Sequence, residues 1–248
     1  MPYTPSSKSK QVTASTVELT FYVDPRWVKA GEKLRFSGTL KKDGKPWSGQ
    51  VIEIYRYVPE RGVWSKFTTT KTLGPPFDGY YDVSKEMPHY LACRDVRWKA
   101  KHPDTETWSE EKKAAVAYPT RISLEAPDWV KTGEEFEVKG KLEYESAKDV
   151  WRPLARRTVK IYLDDTLLAT TFTDDKGNYS RKVVVEKAGT YTLKAVFEGA
   201  GLPTAYAYAP SAAELAMAAG PTAIPLAAAL APVAAVVAVI VASELTKK

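Results

Sequence analysis

The chain has 248 residues, of which 44% are hydrophobic and 27% are charged. This composition excludes an intrinsically disordered chain, and the length allows one large domain or two domains of ordinary size. Because Cys93 is the only cysteine, an intramolecular disulfide is excluded, and core packing has to hold each domain together.

The net charge of +6 is carried by the first 118 residues, since basic and acidic side chains balance in the remainder. This asymmetry favours an acidic partner, such as an acidic glycan or a nucleic acid. The basic residues are scattered rather than clustered, so an ordinary solvated surface remains the alternative. The scarcity of asparagine, glutamine and cysteine beside abundant charged residues is typical of proteins from hot environments, and we expect a thermophilic, archaeal source.

Residues 1–15 are predicted to form a flexible segment, and they lack the apolar run of a signal peptide. After this segment, residues 25–32 (Pro-Arg-Trp-Val-Lys-Ala-Gly-Glu) reappear at 127–134 as Pro-Asp-Trp-Val-Lys-Thr-Gly-Glu. The apolar and glycine positions that follow also match, Leu34, Phe36, Gly38 and Leu40 falling on Phe136, Val138, Gly140 and Leu142. Such a repeat predicts two homologous domains, over residues 16–118 and 119–209.

The second copy shows the strand pattern more plainly than the first. Short apolar-alternating runs separated by turn signals predict seven strands, at residues 121–126, 135–144, 157–163, 167–173, 178–185, 190–197 and 205–208. Seven short strands without an intervening helical period are typical of a Greek-key β-sandwich. The predicted fold class is therefore all-β, with two tandem sandwiches followed by a hydrophobic α-helical segment.

Three motifs carry a family resemblance. The stretch 44–51 (Gly-Lys-Pro-Trp-Ser-Gly-Gln-Val), the turn 175–179 (Asp-Lys-Gly-Asn-Tyr) and the strand 189–193 (Gly-Thr-Tyr-Thr-Leu) resemble patterns of immunoglobulin-like modules in prokaryotic surface proteins. The resemblance covers about residues 16–209 and implies spacers, adhesins or virion decorations, without indicating an activity. The first copy departs from the pattern at residues 87–90 and in a polar insertion at 102–111.

The tryptophans divide into two groups. Trp27 and Trp129 occupy matching positions of the repeat and are predicted to pack in the core or over the end of each sandwich. Trp47, Trp64 and Trp108, in predicted loops of the first domain, are the candidate ligand contacts, because an exposed indole can stack on a sugar. Asn178 begins an Asn-Tyr-Ser glycosylation sequon, although asparagine after glycine is also ordinary turn chemistry.

The C-terminal 39 residues, 210–248, differ from the rest of the chain. A capping box at Ser211 and Glu214 and a Gly220-Pro221 stop predict a short helix over residues 212–219. From 215 to 243 no residue is charged, so a second helix could span a membrane or bury itself among identical subunits of an assembly. The residues predicted to form that apolar surface are Ile224, Leu226, Leu230, Val233, Val236, Val237, Ile240 and Val241.

The inventory of reactive side chains points away from catalysis. There are two histidines, His89 and His102, and no nucleophile elbow, phosphate loop or metal-ligand spacing, so we expect no enzyme activity, metal or cofactor. The predicted function is a structural or adhesive surface protein that projects two immunoglobulin-like domains from a C-terminal membrane anchor. Its alternatives are an archaeal virion or filament subunit assembled through the C-terminal helix, and a module that binds glycan or nucleic acid.

The expected partners follow from these readings: membrane lipid or identical subunits at the C-terminal helix, and surface or virion proteins elsewhere. Lys247 and Lys248 close the chain, and basic residues tend to stay on the cytoplasmic side of a membrane. We therefore expect the sandwiches on the extracellular face of a cell envelope or virion and the C-terminus in the cytoplasm or interior.

Overall fold

The computed structural model describes residues 15–92, 94–202 and 205–221, and within these ranges the chain is all-β with two single 3₁₀ turns, His89–Leu91 and Pro103–Thr105. The strands of the first repeat are β1 Val17–Leu19, β2 Tyr22–Asp24, β3 Trp27–Lys29, β4 Lys33–Lys42, β5 Lys45–Pro46, β6 Val51–Val58, β7 Val63–Lys71, β8 Tyr80–Glu86, β9 Arg94–His102, β10 Thr107–Trp108 and β11 Lys112–Ala117. The strands of the second repeat are β12 Thr120–Ile122, β13 Trp129–Lys131, β14 Glu135–Ala147, β15 Val150–Pro153, β16 Thr158–Leu163, β17 Thr166–Phe172, β18 Asn178–Val184, β19 Gly189–Phe197, β20 Ala200–Leu202, β21 Ala205–Tyr208 and β22 Ser211–Gly220.

The two repeats have the same sheet order. In the second repeat, β12, β15 and β18 pair with β14 in one sheet, and the other sheet has the order β13-β22-β19-β16-β17. In the first repeat, β1, β2, β5 and β8 pair with β4, and the other sheet has the order β3-β11-β9-β6-β7, with β10 added beside β9. Two sheets connected in this way, antiparallel except for the pairings of β3 with β11 and of β13 with β22, form an immunoglobulin-like sandwich, as the sequence predicts.

The short strands that carry the repeated tryptophans join the second sheet of each sandwich. Trp27 lies opposite Ala115 in the parallel pairing of β3 with β11, and Trp129 lies opposite Ala218 in the parallel pairing of β13 with β22. Both tryptophans are half-buried. The Pro-x-Trp-Val-Lys motif therefore marks the point at which the chain leaves one sheet and enters the other.

The described residues divide into two compact units. The first contains residues 15–25, 34–85 and 96–114, and the second contains 26–33, 86–92, 94–95, 115–202 and 205–221. In the first unit, Phe36 and Trp98 are fully buried, and their ring centroids lie 4.8 Å apart. Phe21 and Phe67 extend this aromatic core, at 6.2 Å from Phe36 and 5.1 Å from Trp98.

The core of the second unit is mostly aliphatic. Strand β14 alternates between buried and solvent-facing positions, and its Val138 and Leu142 are fully buried. They belong to two clusters, one containing Ile161 and Leu193 and the other containing Phe197. The alternation arises because successive side chains of a strand point to opposite faces of the sheet.

The helix predicted over residues 212–219 is wrong, because this segment is strand β22. It pairs antiparallel with β19 from Ser211 opposite Phe197 to Ala219 opposite Gly189, and parallel with β13 on its other edge. The residues of the predicted capping box have other partners: Ser211 contacts the Thr120 hydroxyl, and Glu214 pairs with Lys194 at 2.7 Å. Pairing on both edges supplies long-range backbone hydrogen bonds and sheet packing that override the strong intrinsic helix propensity of alanine. The second sandwich accordingly extends past residue 209, to Gly220.

Among the described residues, no helix is long and apolar enough to cross a membrane. The apolar helix predicted within residues 222–248 lies outside the described residues, as do residues 1–14 of the flexible segment predicted at residues 1–15.

Candidate functional site

One sheet of the first unit carries an aromatic and cationic outer surface. On β6, Ile52 and Ile54 are buried, whereas Tyr55 and Tyr57 are only partly buried. On β9, Val96, Trp98 and Ala100 are buried, and the intervening residues are partly exposed. Together with residues of β7 and β10 they form what we call the aromatic-cationic face: Tyr55, Tyr57, Trp64, Arg97, Lys99, Lys101 and Trp108.

The four rings of this face form a continuous series. The ring centroids of Tyr57 and Trp64 lie 5.5 Å apart, those of Trp64 and Trp108 6.4 Å apart, and those of Trp108 and Tyr55 5.0 Å apart. All three pairs are tilted, within the distance range in which aromatic side chains attract each other. Trp108 is the most exposed of the four, at 40% of its surface.

Cations lie against the same rings. The Arg97 guanidinium carbon is 4.3 Å from the Tyr57 centroid, the Lys99 Nζ is 5.1 Å from the Trp64 centroid, and the Lys101 Nζ is 5.3 Å from the Trp108 centroid. Each distance allows a cation–π interaction. The rings and the charged groups therefore hold each other in place.

Carboxylates neutralise most of the cations. Arg97 donates two hydrogen bonds to Glu111, at 2.7 and 2.6 Å, and this pairing lowers the pKa of Glu111. At the other end of the face, Lys101 pairs with Glu106 at 2.7 Å and Lys66 pairs with Glu53 at 3.0 Å.

Tyr55 links its ring to this charge network. The Tyr55 hydroxyl donates a hydrogen bond of 2.7 Å to Glu53, which lowers the pKa of that carboxyl group. Burial and the nearby carboxylate raise the pKa of Tyr55 to about 12. The phenol therefore stays protonated and remains a hydrogen-bond donor at neutral pH.

The insertion of the first repeat brings Trp108 onto the face. After the 3₁₀ turn Pro103–Thr105, Glu106 adopts a left-handed conformation with φ of 54°, and the chain returns as β10 with Trp108 opposite Lys101. His102, which is fully buried, anchors the turn through Nδ1, 2.7 Å from the Thr105 hydroxyl. Burial lowers the pKa of His102, so its ring is neutral at pH 7.

The structure brings together two of the three tryptophans proposed as ligand contacts. Trp64 and Trp108 lie on strands β7 and β10, not in loops, and their rings are neighbours on the face. Trp47 lies elsewhere: it packs against the His102 ring at 4.9 Å, with the Lys42 Nζ 4.7 Å from its centroid. Contact of any of the three with a ligand remains a prediction.

Sequence reasoning missed the tyrosines and the cations of the face. Their signal is the spacing of two residues, Tyr55 with Tyr57 on β6 and Arg97 with Lys99 and Lys101 on β9, since residues at this spacing share one face of a strand. The signal was hidden because the sixth strand of the first copy lacks the Gly-Thr-Tyr motif, which left its register undefined.

The predicted glycosylation site lies at an exposed turn. Asn178 is exposed at the start of β18. Its backbone N–H donates to Asp174 Oδ1 at 2.8 Å, and its side-chain amide donates to Asp174 Oδ2 at 3.2 Å. This geometry is turn chemistry, and glycosylation of Asn178 remains a prediction.

Within the described ranges, no group of three or more His, Cys, Asp or Glu side chains is arranged to hold a metal ion.

Comparison with known proteins gives similarity at the level of fold. No protein-family model matches the chain, and no curated protein matches its sequence. Among solved structures, alpha-2-macroglobulin of E. coli is 10% identical, with a TM-score of 0.34; the match covers 82% of this chain but only 17% of that protein.

Two adhesin structures are also similar. The C-terminal 282-residue fragment of intimin, solved in complex with the intimin-binding domain of the translocated intimin receptor, is 14% identical with a TM-score of 0.44, over 81% of this chain and 64% of that fragment. The adhesin InvE of Yersinia pseudotuberculosis is 12% identical with a TM-score of 0.32, over 81% of this chain and 58% of that protein.

Proposed function

We propose that the chain is a non-enzymatic adhesive surface protein and that the aromatic-cationic face is its contact surface for carbohydrate. The observation that carries this proposal is the series of four rings from Tyr57 to Tyr55, with the exposed indole of Trp108 beside Trp64. A buried core would place such rings between the sheets, whereas these rings lie on the solvent side of one sheet. Tryptophan and tyrosine are rigid, so little conformational entropy is lost when they bind a ligand.

The chemistry of the face suits a sugar. The apolar C–H groups of a pyranose ring can pack on an indole, while its hydroxyls can bond to charged groups at the edge. The carboxylate of Glu111 and the cations Lys99 and Lys101 provide such groups next to Trp64 and Trp108. Flat, partly exposed faces of this kind favour binding to an extended polymer rather than enclosure of a small molecule.

The location of the protein is part of the same proposal. Residues 222–248 follow directly after the last strand of the second unit, and their apolar composition supports a C-terminal anchor on the extracellular side of a membrane. Burial of the same segment among identical subunits of a virion or filament is the second candidate. Membrane flotation of the full chain, compared with a chain ending at residue 221, tests the anchor; ordered multimers formed without lipid would favour assembly.

The binding proposal can be tested by affinity gel electrophoresis of the full chain in detergent. The gels contain neutral polysaccharides (mannan, galactan) or acidic ones (polygalacturonate, alginate). We expect retardation by at least one polysaccharide and its loss in Trp108→Ala. Trp151→Ala is the matched control, because Trp151 is a half-buried tryptophan of the second unit with the Arg121 guanidinium 4.3 Å from its centroid. Equal mobility of the wild-type chain and Trp108→Ala in every gel would refute carbohydrate binding at this face.

A further inference from the structure

Lys99 is the unpaired cation of the aromatic-cationic face. Lys66, Arg97 and Lys101 each have a carboxylate partner, as described above. In the described part of the chain, no carboxylate lies within ion-pair distance of the Lys99 Nζ, whose contact is with the Trp64 ring at 5.1 Å. Glu111 is close enough for Lys99 to lower its pKa, but Arg97 bonds to both oxygens of that carboxylate.

The second repeat shows what the same position does when the lysine is paired. Lys99 lies opposite Tyr55, and Lys194 lies opposite Tyr162 at the corresponding register of the second sandwich. Lys194 also lies opposite Glu214, and the two form an ion pair of 2.7 Å. The second repeat therefore shows an ion-paired lysine at the position that Lys99 occupies in the first repeat.

Glu111 is the first-repeat equivalent of Glu214. Each stands four residues before the partner of the repeated tryptophan, Ala115 opposite Trp27 and Ala218 opposite Trp129. In the first repeat, however, this carboxylate is taken by Arg97. The corresponding residue of the second repeat, two positions before Lys194, is the uncharged Thr192.

Arg97 rather than Lys99 pairs with Glu111, because a bidentate guanidinium–carboxylate pair is stronger and more directional than a lysine–carboxylate pair. The consequence is that, among the described residues, Lys99 has no ion-pair partner, although it lies beside Trp64 and near the exposed indole of Trp108. A lysine that has no ion-pair partner and lies next to rings able to stack on a ligand is suited to bind an anionic group of another molecule.

The arrangement of charged side chains on the face favours one class of anionic polymer over another. A nucleic acid carries a phosphate on every nucleotide, so its backbone would meet the carboxylates of Glu53, Glu106 and Glu111 as well as Lys99. A polysaccharide with one carboxylate per sugar can place a single anion on Lys99 and lay uncharged ring atoms on the indoles. Of the three cations of the aromatic-cationic face, one has no ion-pair partner among the described residues, which fits the second pattern.

Resting on the proposed function, we propose that the aromatic-cationic face selects acidic over neutral carbohydrate, and that Lys99 binds the sugar carboxylate. Arg97 is a positioning residue in this scheme, since it forms with Glu111 the ion pair that Lys194 forms with Glu214 in the second repeat. In the second repeat the corresponding lysine, Lys194, is ion-paired. A substitution of Lys194 is therefore a control that leaves the aromatic-cationic face unchanged.

Oligogalacturonate and its fully methyl-esterified form provide the test, because they share a backbone and differ in charge. In titrations with the full chain in detergent at low salt, we expect tighter binding of the acid than of the ester, by about tenfold for one charge-assisted contact. Lys99→Gln should abolish this preference. Arg97→Thr, which copies the second repeat and returns Glu111 to Lys99, should reduce the preference as well, whereas Lys194→Gln should retain it.

Each alternative result would contradict a specific part of the proposal. Equal binding of acid and ester, both lost in Trp108→Ala, would overturn the role of Lys99 and leave the carbohydrate-binding proposal standing. Binding of neither probe by the wild-type chain would overturn the assignment of acidic carbohydrate to this face, and no dependence on Trp108 in the polysaccharide gels would remove the proposed function itself. Binding of oligothymidylate that equals binding of oligogalacturonate and is lost in Lys99→Gln would assign the face to single-stranded nucleic acid.

Discussion

The hydroxyl of Tyr81 donates a hydrogen bond to the backbone carbonyl of Thr20 at 2.5 Å, and Gly38 lies directly beneath this contact. The second repeat reproduces the arrangement, with the Tyr179 hydroxyl 2.6 Å from the Ser123 carbonyl, above Gly140. In both sandwiches a buried tyrosine, on β8 or β18, thus reaches across β4 or β14 and holds the backbone that follows β1 or β12. The glycine is required because a Cβ would overlap the carbonyl oxygen and the phenol.

The first prediction concerns this glycine. Gly38→Ala should lower the free energy of unfolding of the first unit by about 2 kcal/mol or more, since the added methyl group has to displace backbone as well as the Tyr81 ring. Gly74→Ala is the control, because no atom lies within 4 Å of the Cβ that it would gain and its φ is not positive; its effect should stay within about 0.5 kcal/mol. Urea titrations followed by tryptophan fluorescence measure both, and equal midpoints for the two variants would contradict the prediction.

The second prediction is a loss of stability at alkaline pH that depends on Tyr81. Burial raises the pKa of Tyr81 above its ordinary value, so the unfolded chain releases this proton near pH 10 while the folded chain retains it. Stability from this group is complete below pH 10 and is lost as the pH rises above it. Tyr81→Phe should be less stable than wild type at pH 8, by about 1 to 2 kcal/mol.

The difference between Tyr81→Phe and wild type should shrink at pH 10.5, because the variant lacks the titrating phenol. Urea midpoints at the two pH values measure this change. A constant difference between the proteins at pH 8 and pH 10.5 would show that the phenol does not control alkaline stability.

The third prediction is the opposite pH dependence at His102. Burial lowers the pKa of this fully buried histidine, so the unfolded chain takes up a proton near pH 6.5 before the folded chain does. Stability from neutral His102 is therefore complete above pH 6.5 and is lost as the pH falls below it. His102→Asn keeps a polar group near Thr105 but does not titrate.

Melting temperatures at pH 7.5 and pH 5 test this prediction. Wild type should lose more stability than His102→Asn over this interval, and His89 is present in both proteins, so its contribution cancels. Parallel losses would mean that His102 takes up its proton equally readily in the folded and the unfolded chain.

The fourth prediction distinguishes strand from helix at the end of the second unit. A chain that ends at residue 209, where the sequence places the domain boundary, lacks β22 and leaves β19 and β13 without their shared neighbour. We expect this chain to lose the cooperative unfolding of the second unit, and a chain that ends at residue 221 to keep it. Limited proteolysis and circular dichroism compare the two; equal protease resistance would contradict the assignment of β22 as a structural strand.

The fifth prediction concerns the edge strand β17. It is the terminal strand of its sheet, its residues Thr166–Phe172 include no charge or proline, and Leu167 and Phe172 are 51% and 67% exposed. Such an edge can pair with another chain, whereas the corresponding strand β7 contains Lys66 and Lys71. Phe172→Lys should reduce light scattering on heating relative to wild type, and Lys182→Arg on β18 should not change it. Unaltered scattering in Phe172→Lys would exclude β17 as the aggregating edge.

The sequence by itself determined the duplication and the all-β class. The match of residues 25–32 with 127–134 and the alternating apolar positions of β4 and β14 were sufficient, because the side-chain period of a strand is a local property of the pleated backbone. It also selected Trp64 and Trp108 as candidate contacts, although it could not place them next to each other.

Only the tertiary structure decided the last strand and the composition of the aromatic-cationic face. Residues 211–220 have a helical pattern when taken alone and become a strand because β19 and β13 offer hydrogen-bond partners on both edges. Trp64 and Trp108 are 44 positions apart in the chain and meet because β7 and β10 flank β6 and β9 of the same sheet. Long-range strand pairing sets such neighbours, and for the same reason only the fold reveals that Arg97, and not Lys99, forms the ion pair with Glu111.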